Sequence, residues 1–365
     1  MRKDILSAFV FLFVFALTAI PANACSIFRL QADDGTIIVG RSMEFAADLQ
    51  YDFIIIPRDY SVNSPGPDDK EGMSWKTRYG YVGVASFHLG YGISDGMNEK
   101  GLGVAILWYE TDMKWQNVGP GENQRALAQA MVGDWVLGNF STVEEVKPEI
   151  QKVKIFKYTE PQTKFSPTIH YIVYDANGGC IVIEYEAGVC KIYDNPLGIM
   201  TNAPNFPWHV TNLRQYAGMT SEMAKPFSQG GINFMTTGHG SGMFGIPGDL
   251  TPPSRFARMA VLTRFADKQP DAAKTLNLAQ HIINTLDIPR GLISDRMPDE
   301  TYLKETTQWI TFRDLTNRII YFRTYDNMNL RKIDLNKLDL SAKSLKRIRM
   351  YGAGEIITDV SGEAR

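Results

Sequence analysis

The chain has 365 residues, 44% of them hydrophobic and 21% charged, with 38 Lys plus Arg against 40 Asp plus Glu for a net charge of −2. This composition excludes a disordered, collagen-like or coiled-coil chain, and without any run of five or six like charges there is no footprint for nucleic acid or an anionic membrane. At this length a core can be buried without disulfides or metals, so the three cysteines need another explanation.

Met1-Arg2-Lys3 is a short basic start, followed by an almost unbroken apolar run from Ile5 to Ile20 and then by Pro21-Ala22-Asn23-Ala24. Ala22 and Ala24 make the small-x-small pattern that signal peptidase reads, and the run is short for a permanent membrane span. Residues 1–24 are therefore set apart as a signal peptide and 25–365 as a single domain. The product is expected in the periplasm or outside the cell.

Cleavage after Ala24 makes Cys25 the first residue of the mature chain, and two functions compete for it. In one, Cys25 is acylated and the protein is a lipid-anchored envelope binding protein without catalysis. That signal normally has Leu three places before the cysteine, where this chain has Ala22. In the other, Cys25 is a nucleophile whose freed α-amino group is its own general base. A thiol of pKa about 8.5 beside an amine of about 7.7–8 needs little tuning at neutral pH, and one residue supplies both groups in fixed geometry.

Along the mature chain, Ser26–Gln31, Thr36–Ser42, Phe53–Pro57, Tyr81–His88 and Gly103–Tyr109 read as strands, with Asp33-Asp34-Gly35 as a hairpin turn. Glu122–Leu137 has apolar residues at helical spacing, and Ser141-x-x-Glu144 reads as the capping box of a second helix. Strands return at Ile169–Asp175 and in a hairpin over 180–193 that turns at Ala187-Gly188. Its register puts Cys190 opposite Tyr185 and Cys180 opposite Asn195, too far apart for a disulfide, so both are expected as free thiols. Pro253–Asp267 and Asp271–Leu286 read as amphipathic helices, and Thr307–Leu315 with Asn317–Tyr325 as a closing antiparallel pair. The order predicts an α+β fold with sheet packed on sheet and helices outside, a four-layer αββα sandwich.

Other chemistry finds little support. Gly238-His239-Gly240-Ser241-Gly242 fails the hydrolase-elbow pattern, because His239 and Met243 stand where glycines are needed. The five histidines are scattered without ligand-like spacing, so neither a metal nor a cofactor is expected.

Several blocks together resemble the choloylglycine hydrolase family, the bile salt hydrolases and penicillin V acylases, which are N-terminal-nucleophile amidohydrolases. They are Cys25-Ser-Ile-Phe, Gly40-Arg41-Ser42-Met43-Glu44, Asp95-Gly-Met-Asn-Glu-Lys-Gly-Leu-Gly-Val-Ala105, Asn195-Pro-Leu-Gly-Ile-Met-Thr-Asn-Ala-Pro204, and Gly245-Ile-Pro-Gly-Asp249 with Ser254-Arg-Phe. Tyr321–Asn327 is similar to the family's closing strand.

The resemblance implies that Cys25 attacks an amide carbonyl to form a thioester, its α-amine moving the proton to the leaving amine and then activating water. It further implies Arg41 near the thiol, Glu44 where the family has the Asp that holds the α-amine, Asn202 as a side-chain amide at the site, and Arg255 as a second arginine. Trp108 replaces an Asn or Tyr, as in the Gram-negative branch, and either removes an oxyanion donor or supplies an indole N–H instead. Phe45, Phe87, Trp108, Phe206 and Trp208 are expected near an apolar acyl pocket. The implied substrate is a small-molecule N-acyl amide with a bulky apolar acyl group: a conjugated bile salt, penicillin V or an N-acyl homoserine lactone. The implied assembly is a homotetramer.

Overall fold

The run Ile37–Phe45 is buried at every position. A strand hidden on both faces needs a neighbour along each edge and a packed layer above and below. The computed structural model, which describes residues 24–86, 92–110, 113–297, 300–352, 354 and 356–363, supplies all four. The apolar run from Ile5 to Ile20 and the stretch Pro21–Asn23 lie outside the described residues.

In chain order the strands of the two large sheets are β1 (Cys25–Gln31), β2 (Ile37–Phe45), β3 (Tyr51–Ile56), β4 (Tyr81–Ser86), β5 (Asp95–Asn98), β6 (Gly103–Trp108) and β7 (Ile169–Tyr174). They continue with β8 (Cys180–Glu186), β9 (Val189–Asp194), β10 (Ile293–Arg296), β11 (Tyr302–Asp314), β12 (Ile319–Thr324), β13 (Asn327–Asp334) and β14 (Lys346–Arg349). The helices are α1 (Val132–Asn139), α2 (Val143–Ile150), α3 (Phe206–Asn212), α4 (Pro252–Phe265) and α5 (Ala272–Asn284). A six-stranded sheet runs β1-β2-β11-β12-β13 with β10 paired to β11, and an eight-stranded sheet runs β9-β8-β7-β6-β5-β4-β3-β14.

Strand periodicity divides the core. Ala105 and Leu107 of β6, Ile172 of β7 and Val182 of β8 point to the first sheet, in one cluster with Ile27, Val39 and Phe312. Their neighbours Val104, Ile106, Tyr171, Val173, Ile181 and Ile183 point the other way, against Val132, Val136, Val146 and Ile150 of α1 and α2. Phe256, Met259, Ile282 and Ile283 of α4 and α5 cover the outer face of the six-stranded sheet. The result is the αββα sandwich that the element order suggested.

The 180–194 hairpin has the expected register, with Cys190 paired to Tyr185 and the Asn195 N–H donating to the Cys180 carbonyl at 2.9 Å. Ala187 and Gly188 both take positive φ, as the two-residue turn requires. Two expectations are corrected. Only the second half of Glu122–Leu137 is helical: Ala126–Ala128 forms a short parallel pair with Lys154–Phe156. The buried Gln129 amide extends that pairing by donating to the Tyr158 carbonyl at 2.9 Å and accepting its N–H at 2.7 Å, so tertiary hydrogen bonds override helical spacing. The cap of α2 is Thr142, one residue later than read. Starting there turns Val143, Val146 and Ile150 together onto the sheet, while Glu145 accepts the Ser141 N–H at 2.7 Å.

Candidate active site

Antiparallel pairing places Cys25 opposite Met43 and Ser26 opposite Ser42. By alternation, Cys25, Arg41, Met43 and Phe45 face the eight-stranded sheet, whereas Ser26, Ser42 and Glu44 face the helical layer. The Cys25 thiol is buried, 3.5 Å from the Met43 sulfur and 3.9 Å from Arg41 Nη2. With Ala24 still attached, burial pushes the thiol above its ordinary value; Arg41 opposes this, Glu44 adds to it and Arg255 opposes it more weakly. In the chain that retains Ala24, desolvation thus outweighs the nearby cations.

The backbone of Cys25 is held from two further elements. Its N–H donates to Asn202 Oδ1 at 2.8 Å, an oxygen that also accepts from Arg255 Nη2 at 2.7 Å. Arg255 Nη1 donates to the Cys25 carbonyl at 2.6 Å and to Ser26 Oγ at 2.7 Å, and its Nε to the Leu250 carbonyl at 2.9 Å. Asn202 Nδ2 donates to the Trp108 carbonyl at 3.0 Å, leaving the second N–H of that amide for another acceptor.

Two buried histidines fix the backbone around Asn202. His170 Nε2 donates to the Thr201 carbonyl at 2.9 Å with its Nδ1 on Glu184 at 3.0 Å, and His209 Nε2 donates to the Asn202 carbonyl at 2.8 Å. Burial holds His209 near 4, so it is neutral at physiological pH. Sequence spacing hid these residues because only the fold brings β7, the 195–205 loop and α3 together.

Arg41 is fully buried across the inter-sheet layer. It donates to the Ile106 carbonyl at 2.7 Å and to that of Ser94, lies over the Trp309 ring at 5.1 Å, and is 3.9 Å from Asp95. Asp95 is ion-paired to Arg313 at 2.7 Å and accepts from Thr311 at 2.6 Å. It belongs to a quoted motif, yet nothing in the sequence marked it as the carboxylate between two buried arginines.

Glu44 points away from the thiol. Its Oε1 accepts from Thr307 at 3.0 Å, and burial raises its carboxyl to about 8 against the pull of Arg255. Ser42 lies beside the carboxyl and favours its charged form, although no hydrogen bond of normal geometry joins them. In the chain that retains Ala24, the longer side chain is thus bonded to Thr307.

The thiol opens on an apolar cavity of about 80 Å3 lined by Met43, Phe45, Tyr51, Trp108 and Phe165 among others. Phe45 and Trp108 meet edge to face at 6.4 Å, and the buried Trp108 indole N–H has no acceptor among the described residues. Phe206 is not at the cavity: it packs against Tyr193 and Phe256, because its place at the start of α3 turns it into the helical layer. Trp208 is exposed on α3, and Phe87 lies outside the described residues. Phe165 comes from a loop without strand periodicity, which is why sequence reading missed it. No cluster of three His, Cys, Asp or Glu side chains suited to a metal ion occurs among the described residues.

A buried cysteine at the start of an edge strand, clamped at its amide and open at its sulfur to an apolar cavity within an αββα sandwich, defines an amidohydrolase of the N-terminal-nucleophile type. The chain belongs to the linear amide C–N hydrolases of the choloylglycine hydrolase family, whose model matches residues 25–348. It is 32% identical over 325 residues to a bile salt hydrolase/transferase of Clostridium perfringens, covering 88% of this chain and 95% of that one. It is 25% identical over 346 residues to a penicillin V acylase of Pectobacterium atrosepticum, covering 90% and 84%. Among solved structures it is similar to a variant of the conjugated bile acid hydrolase from Clostridium perfringens, with TM-score 0.81, 30% identity and coverage of 92% and 100%. The fold is also that of a penicillin V acylase from Agrobacterium tumefaciens, with TM-score 0.72 at 21% identity and coverage of 91% and 95%.

Proposed function

We propose that this protein is exported, loses a signal peptide ending at Ala24, and as a mature enzyme hydrolyses a small-molecule N-acyl amide with a bulky apolar acyl group. The observation that carries this reading is the division of Cys25 between two environments. Its sulfur faces the apolar cavity, and its backbone nitrogen is held on the other side by Asn202 at 2.8 Å. Once that nitrogen is an α-amine, it takes the thiol proton, and its positive charge joins Arg41 in favouring the thiolate. The thiolate attacks the acyl carbonyl, and the remaining Asn202 N–H and the Trp108 indole N–H are donors for the developing oxyanion. The amine then protonates the departing nitrogen, and as a free base activates water against the thioester.

Arg255 acts by fixing the Cys25 carbonyl and the Asn202 amide, and Phe45 and Trp108 form the acyl wall. The side chains around the thiol are apolar, which suits the bulky apolar acyl group of a conjugated bile salt, penicillin V or a fatty-acyl homoserine lactone. Burial of Cys25 at 2% exposure argues against the lipid-anchored alternative, because a diacylglyceryl group on this sulfur has no path to a bilayer. The exposed Phe227, Ile232, Met235 and Phe244 support self-association, read from the resemblance as a homotetramer.

The deciding experiment is intact mass and N-terminal sequencing of the envelope-purified protein, followed by a panel of conjugated bile salt, penicillin V and acyl homoserine lactone. A free N-terminal Cys25 with amide turnover is the expected result. An acylated amine, or no turnover of any amide, overturns the reading.

A further inference from the structure

The residue before the nucleophile sits in a receptor of its own. Ala24 is buried, its N–H donates to Glu305 of β11, and its carbonyl accepts the Glu44 N–H at 3.0 Å. Beside it lies a cavity of about 640 Å3 lined by Ala24, Asp249, Thr251, Arg255, Ile293 and Glu305. This space is separate from the cavity that holds the thiol.

Hydrolysis of the Ala24–Cys25 peptide adds one water, leaving Ala24 as a carboxylate and Cys25 with an ammonium. The hydrogen-bond accounting then changes on both sides. Glu305 loses the N–H it accepted, while the Cys25 nitrogen gains N–H groups and has only Asn202 Oδ1 as an established acceptor. Glu44 Oε2 is buried and also has no hydrogen-bond partner among the described residues. Buried polar groups are satisfied in native proteins, and a buried carboxylate without a cation is costly.

We propose that Glu305 is a positioning residue of the mature enzyme: with Asn202 and Glu44 it accepts a hydrogen bond from the Cys25 α-ammonium, in the space Ala24 vacates. This rests on the reading that Cys25 becomes N-terminal. The charged groups facing the amine are Glu44 from β2, Glu305 from β11 and Arg255 from α4, with Asp295 of β10 acting on Glu305 and Arg41 beside the thiol. Burial has raised Glu305 to about 7 in the chain that retains Ala24, and a neighbouring ammonium would draw it back down. Glu305 in turn favours the protonated amine and so sets the acid limb of the reaction.

The test uses mature protein from the full chain, its start verified by intact mass. The pH profile of kcat/KM is measured together with the pH dependence of α-amine acetylation by acetic anhydride, read on the N-terminal peptide. In Glu305→Gln both midpoints should fall by about one pH unit, while Glu305→Asp, which keeps the charge, should restore the wild-type midpoint. Unchanged midpoints in a chain that begins at Cys25 overturn the proposal. So does an equal shift in both variants, which marks a merely structural effect, or a glutamine variant that keeps Ala24, which confines Glu305 to the precursor. Acetylation needs no substrate, so a wild-type chain with a free Cys25 and no amidase activity sinks the proposed function while Glu305 is still decided.

Discussion

Replacing Asp95 by Asn removes one charge at nearly constant volume from a site without water access, since Asp95 and Arg41 are at most 1% exposed. Asp95 faces Arg313 at 2.7 Å and Arg41 at 3.9 Å. At an effective dielectric near 20 these attractions are about 6 and about 4 kcal/mol before desolvation. Desolvating three ions offsets most of that gain, so the triad as a whole adds little stability. Removing only its anion is different, because two guanidinium groups then remain buried without a counter-charge, at a cost of about 3–5 kcal/mol. Against a typical total of about 5–15 kcal/mol the variant should fold with a thin margin. Arg41 also loses a partner that holds it near the sulfur, so kcat/KM should fall as well. The assay is urea unfolding followed by tryptophan fluorescence, paired with turnover. A stability within about 1 kcal/mol of the parent would refute the reasoning, since it would mean the arginines are solvated or paired elsewhere.

Cys25→Ser should keep its fold and lose activity by roughly 10³-fold or more, whereas Cys180→Ala and Cys190→Ala should leave turnover nearly unchanged; activity assays beside circular dichroism check all three. His209 titrates near 4 when folded and about 6.5 when unfolded, so below pH 6.5 the unfolded chain binds the extra proton and stability falls until pH 4. The stability difference between wild type and His209→Gln should therefore shrink by about 3 kcal/mol over that window in unfolding curves taken at several pH values. Trp108→Phe keeps the ring and deletes the indole N–H; kcat/KM should drop about tenfold at an unchanged melting temperature, and an unaltered rate would remove Trp108 from the oxyanion site. Phe227→Asp with Ile232→Asp should shift the sedimentation coefficient toward the monomer, and identical sedimentation would place the subunit contact elsewhere.

What the chain declares locally is considerable. Strand alternation, the Ala187-Gly188 turn and the order of elements are short-range properties, and they suffice for the αββα layering and the hairpin register. Cys25, Arg41, Asn202 and Arg255 were legible because they lie in blocks similar to a known family, and the fold does bring them within hydrogen-bond or contact distance of one another. The edge strands β13 and β14 escaped because the charges of Arg331, Lys332, Lys346 and Arg347, which suit a solvent-facing edge, hide the alternation.

Tertiary structure alone decided three matters. It turned Glu44 onto Thr307 and Phe206 into the helical layer, since the face a strand or helix presents depends on what packs against it. It assembled His170, His209, Asp95 and Glu305 around the nucleophile from positions far apart in the chain, each satisfying a backbone group or charge that exists only in the fold. And it pushes the thiol above its ordinary value in the chain that retains Ala24, because desolvation depends on how much protein surrounds a group, a quantity that no sequence motif carries.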